Sequence, residues 1–62
     1  MLSKEQVEAI LSQLQREWKS DPKWEQLLRD VYLGMARVDG GVALGKLDPR
    51  VIALIEQHHK QA

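Results

Sequence analysis

Two Asp-Pro steps, Asp21-Pro22 and Asp48-Pro49, cut this chain of 62 residues into three segments, and each step is a helix start written in local chemistry. Proline has its φ fixed near the helical value and lacks the N–H that a first-turn residue leaves unbonded, so it suits the first position of a helix. A Ser or Asp just before it offers a side-chain oxygen to the free N–H groups of that turn. Ser20 or Asp21 is therefore the expected cap of a second helix over residues 22–38, and Asp48 the cap of a third over residues 49–59. The residue before a proline is also pushed out of the helical region. That predicts a sharp corner near Asp21, the alternative being one helix running unbroken through it.

The first segment carries its own start signal. Ser3 and Gln6 have the spacing of a capping box, with Leu2 and Val7 at the positions of a hydrophobic staple. Val7, Ile10, Leu11, Leu14 and Trp18 then recur at steps of three and four while charged and amide residues fill the other sides. An amphipathic helix over residues 4–19 follows, with a stripe narrow enough for the flank of a bundle.

The second segment is broader. Trp24, Leu27, Leu28, Val31, Met35 and Val38 form one stripe, widened by Tyr32, Leu33 and Ala36. A face this wide needs cover on more than one side, which makes this the central helix, with Gly34 as a point of close packing. Asp39-Gly40-Gly41 stops it, glycine supplying the left-handed conformation used just past a helix end. An unusually apolar connector, Val42-Ala43-Leu44-Gly45-Lys46, leads to the third start, where Leu47 and Ile52 form another staple. Val51, Leu54, Ile55 and His58 face inward on the last helix, and His58, His59 and Lys60 sit at its negative end, where positive charge is favoured. Gln61 and Ala62 are expected to fray. No strand-like alternation of useful length occurs, so the fold class is all-α: one domain, residues 1–62, built as a small three-helix bundle or an open three-helix array with two tight joints.

Size and charge limit what such a domain does. A chain this short hides only about 60% of its unfolded surface, and small domains commonly add disulfides, a metal or a second chain. With no cysteine in the sequence, association is the remedy left. Nine Lys and Arg balance nine Asp and Glu, so no net field draws in polyanions, and the basic residues make no stripe interleaved with exposed aromatics. Nucleic acid is therefore not the expected partner. No run approaches the roughly 20 apolar residues that span a bilayer, and the start lacks the layout of a signal peptide. A cytoplasmic protein without membrane contact is expected.

Candidate chemistry is thin. His58 and His59 are adjacent, so on a helix they point about 100 degrees apart and grip one ion poorly. Among the hydroxyls, Ser3 and Ser20 have capping roles and Ser12 lies on the polar side of the first helix, which leaves no nucleophile next to a histidine. Glu17, Asp21, Glu25, Asp30 and Asp39 offer carboxylates, but no spacing fixes a pair. Asp39-Gly40-Gly41 with Gly45-Lys46 lacks the following Ser or Thr and the preceding strand of a phosphate loop. No catalytic, cofactor or metal residues are assigned, and the reading is non-enzymatic.

The apolar surplus of the second helix is the strongest signal. Trp24, Leu28, Val31, Met35 and Leu54 are assigned to the core, while Trp18, Trp24, Tyr32, Leu33 and Met35 are the residues expected at an interface. Either they close a homodimer or they line a groove for another protein or an apolar ligand. A small interaction or regulatory module, self-associating through the second helix and able to bind a protein partner, is the expected function.

Residues 21–60 carry a further pattern. Trp24, Leu28, the helix-ending Gly40, the Asp48-Pro49-x-Val51 start and Leu54 followed by His58 resemble the antibiotic-recognition domain family typified by TipAS, found behind MerR-type DNA-binding domains. The resemblance implies an apolar cleft for a small molecule, with Trp24, Leu28, Leu54 and His58 on its packed face or wall and no catalytic role. The connector is a residue or two longer than that family's usual one. The chain also ends where the family continues with further helices.

Overall fold

The first helix begins where local chemistry puts it. In the computed structural model, which describes residues 2–60, α1 (Lys4–Trp18) opens with Ser3 extended at the cap. The Ser3 hydroxyl accepts from the Gln6 N–H at 3.1 Å, and the Gln6 side-chain oxygen accepts from the Ser3 N–H at 2.7 Å. The reciprocal box predicted from the spacing is formed. α2 (Trp24–Asp39) and α3 (Pro49–His59) complete the set, with no strand among the described residues. The fraying expected of Gln61 and Ala62 lies outside the described residues.

The start of α2 is later than expected. Pro22 stands in a preliminary turn in which the Trp24 N–H donates to the Asp21 carbonyl, and the four-residue ladder begins only with the Leu27 N–H on the Lys23 carbonyl. Asp21, not Ser20, supplies the side-chain oxygen, accepting from the Lys23 N–H at 2.8 Å. The Asp-Pro step thus does its capping one turn ahead of the helix. At the second step Asp48 caps α3 directly through the Arg50 N–H, with Pro49 in the first turn, as its spacing predicts.

The end of α2 is a Schellman motif. Gly41 takes φ +73° and its N–H donates to the Val38 carbonyl, while the Val42 N–H reaches back to the Arg37 carbonyl at 2.7 Å. These bonds satisfy carbonyls that the helix end would otherwise leave open.

Ile10 and Leu14 of α1, Leu27, Val31 and Met35 of α2, and Val51, Leu54 and Ile55 of α3 form the buried core, joined by Leu2 and Leu44 from outside the helices. Each large side chain taken fully out of water stabilises the fold by about 1.5–3 kcal/mol, so this handful of residues dominates the stability of the domain. Trp24 and Leu28, assigned to the core from sequence, are half-buried against it. Met35 is 7% exposed. Its place on the stripe with Val31 and Leu27 turns it inward, which removes it from the residues expected at an interface.

The three helices do not alternate in direction. The Leu2 N–H donates to the Asp39 carboxylate, and the Gln6 amide donates to the His58 carbonyl, so α1 starts where both α2 and α3 end. α2 and α3 therefore run in the same sense, with the Asp48 N–H on the Asp30 carboxylate near their starts and Gly34 against Ile55 further along. Nothing tight joins two helices of the same sense. The nine residues 40–48 must return roughly 14 Å along α2, and they do so by laying Leu44 and Leu47 over Gly34. The second of the two expected tight joints is a crossover. Gly34 is buried because Ile55 occupies the space where a Cβ would stand.

Candidate interaction surface

α2 presents two opposite sides to very different surroundings. At about 100 degrees per residue, Leu27, Val31, Gly34, Met35 and Val38 share the side turned to the core. Arg29, Tyr32, Leu33 and Ala36 occupy the side away from it. Tyr32 is 55% exposed and Leu33 45%, and with Val42 they are the large apolar residues left in water among those described. Glu25 and Arg29 continue the same outer side toward the start of α2, both exposed. Of the five residues expected at an interface, the structure brings Tyr32 and Leu33 together on one open face. Trp18 and Trp24 are half-buried against the core, and Met35 is inside it.

The area of this face sets a scale. A stable interface removes about 800 Å² per partner, close to a fifth of the 4369 Å² that the folded chain exposes. A compact monomer of this mass exposes roughly 4,100 Å², so one copy already closes its core. Tyr32, Leu33 and Ala36 make a small apolar island on an otherwise ordinary surface.

The most organised polar cluster lies elsewhere, at the pole where both Asp-Pro steps meet. The Arg50 guanidinium sits 3.1 Å from Asp21 Oδ2 and 3.2 Å from Asp48 Oδ1, and it lies 5.8 Å from the centre of the Trp18 ring. One cation thereby ties the α1–α2 corner to the start of α3. The Lys23 N–H and then the Arg50 side chain hold the Asp21 carboxyl below the usual carboxylate range. Asp48 is lowered chiefly by the Arg50 side chain, with help from the Arg50 N–H. Arg50 is raised in return by both carboxylates. At neutral pH the cluster is fully ionised and hydrogen-bonded. Arg50 carries no role in the sequence reading, because Asp21 lies 29 positions away; the signal available was that Asp48 and Arg50 flank the same proline.

At the opposite pole His58 is half-buried and His59 exposed. The Gln13 amide donates to Glu17 at 3.0 Å, which turns its carbonyl oxygen toward His58, 3.1 Å away. His58 Nε2 is therefore the donor of that bond. Among the described residues no three His, Asp or Glu side chains stand close enough to share an ion, and no helix is long and apolar enough to cross a membrane.

Over most of its length the seam between α2 and α3 is filled by Ile55, Leu44 and Leu47. Near the starts of the two helices a groove of about 280 Å³ remains beside Asp30, Leu47 and Pro49, and near their ends an open groove of about 370 Å³ lined by Val38, Val42, Ala43, Leu44, Glu56, His59 and Lys60. Leu28, Trp24, Leu54 and His58 border neither groove. Comparison with protein-family models, with curated proteins and with solved structures finds no match for this chain.

Proposed function

We propose that this protein is a non-enzymatic helical interaction module that self-associates through the outer side of α2. The observation carrying this reading is the exposure of Tyr32 and Leu33 side by side on a helix whose other side is fully committed to the core. Tyrosine at an exposed apolar patch is a residue type enriched at interfaces, since its ring packs while its hydroxyl stays hydrogen-bonded. The net charge of zero places no electrostatic penalty on bringing two copies together. Because the island is small, the association is weak and concentration-dependent, which suits a regulatory contact remade with a protein partner.

Light scattering over a wide concentration series tests it. The mass should rise from 7.1 kDa toward twice that value, and the paired change Tyr32→Ser with Leu33→Ser should hold it at the monomer while shifting stability by less than about 0.5 kcal/mol. A mass that stays monomeric at the highest concentration ends the proposal.

A second reading has its own observation. Val42 is 58% exposed at the rim of the groove between the ends of α2 and α3, and that groove offers an apolar small molecule a place between these helices, on a wall other than the Trp24, Leu28, Leu54 and His58 that the TipAS-like resemblance implies. A saturable rise in melting temperature with apolar antibiotics, without change in mass and lost in Val42→Ser, supports this reading over self-association.

A further inference from the structure

The crossover between α2 and α3 is built unlike the rest of the molecule. It is the longest described segment without helix, and among the described residues the two with positive φ, Gly41 and Gly45, both at +73°, lie in it. Between them Leu44 is 8% exposed, the one member of the buried core that belongs neither to a helix nor to the segment leading into α1. Its Cδ2 lies against Gly34, which carries no side chain. A Cβ placed there would stand 3.2 Å from Leu47 Cδ1, 3.5 Å from Leu44 Cδ2, and in collision with Ile55 Cδ1.

A single polar tie holds the middle of the segment, the Arg37 guanidinium donating to the Leu44 carbonyl at 2.8 Å. That guanidinium passes directly under Gly45, where a Cβ would come within 2.6 Å of it. Both glycine positions are thus ones that other residues adopt only under strain, and they bracket the plug and its latch.

We propose that residues 42–44 form a hinged strap, latched by Arg37, that opens while the three helices stay folded and uncovers the aliphatic surface where Ile55 packs on Gly34. The opening swings on Gly41 and Gly45, lifts Leu44 away from Gly34 and breaks the bond from Arg37 to the Leu44 carbonyl. The Asp48 cap of α3 lies outside the hinges and is unaffected, whereas the bond from the Val42 N–H to the Arg37 carbonyl lies on the strap side of Gly41 and opens with it. The strap lies about 160 degrees around α2 from Tyr32, so it works independently of self-association.

The absence of cysteine makes the test direct. Leu44→Cys and, as a core control, Val51→Cys are exposed separately to a disulfide reagent in urea well below the unfolding midpoint. Local opening predicts that the thiol at 44 reacts at least roughly tenfold faster and with a weaker urea dependence than the one at 51. Adding Arg37→Gln should speed the first reaction further and leave the second nearly unchanged. In the unaltered chain, amide exchange of Val42 should likewise be faster and less urea-dependent than that of Ile55. Equal rates and equal urea dependence at both sites would mean that the strap leaves only when the whole bundle unfolds, which overturns the proposal. Thiols that differ while the amides do not would show that the substitution itself loosened the strap, and the proposal fails then too.

Discussion

The two joints of this protein lead into the next helix through the same dipeptide and are stabilised by opposite means. The α1–α2 corner is short and polar: Asp21 caps its turn, and Arg50 reaches over from α3 to hold it. The α2–α3 crossover is long and apolar, held by Leu44 and Leu47 packing over Gly34, with one guanidinium on a carbonyl. A local helix-start signal therefore says where a helix begins and nothing about where the chain has come from. Direction is decided by what the intervening residues bury.

The sharpest way to break this comparison is to fill the space the crossover needs. Gly34→Val puts branched bulk where Ile55 already sits, and overpacking of this kind should lower unfolding free energy by about 3 kcal/mol in urea denaturation, enough to unfold much of a domain this small. If the loss is below about 1 kcal/mol, the seam is looser than its packing implies.

Leu44→Ala should come next, costing about 2 kcal/mol by loss of buried methyl groups. Added salt should leave that loss unchanged, since no charge is involved. Asp48→Ala removes the oxygen that caps α3 and should cost about 1 kcal/mol, read from the same titration.

The smallest effect separates the joints by mechanism. Asp21 and Asp48 are held below their unfolded values by Arg50 and by backbone N–H groups. Their contribution to stability is complete above the unfolded carboxylate range, near pH 5 and higher, and is lost as pH falls through the lower folded values. Stability measured from neutral pH to about pH 2 should thus fall less steeply in Arg50→Gln than in the unaltered chain. An identical acid slope in both would show that Arg50 contributes nothing to either carboxylate.

Much of the fold was legible one turn at a time. The Ser3–Gln6 box, the Asp48-Pro49 start and the glycine stop after Asp39 rest on bonds between near neighbours in sequence, and each formed where its spacing put it. What local pattern could not carry was the common sense of α2 and α3, because it depends on Leu44 finding Gly34 across ten positions. Met35 was assigned both to the core and to an interface, and it is in the core. The stripe of α2 looked too wide for its neighbours to cover, and the returning crossover covers it at Gly34, as a tight joint would not. Of the side-chain groups described above, the exposed pair Tyr32 and Leu33 was legible as part of the stripe turned away from Val31. Arg50 was not, since its partners are joined only by the fold.

Gln6 does two jobs, closing the box on Ser3 with its oxygen and donating its amide N–H to the His58 carbonyl at 2.9 Å. Glutamate serves the first job equally well in other proteins, yet it has no hydrogen to give and would set a carboxylate against a carbonyl at the negative end of α3. The choice between two residues that local helix chemistry treats as synonyms is thus made at the far end of the chain, by a helix that begins more than forty positions later.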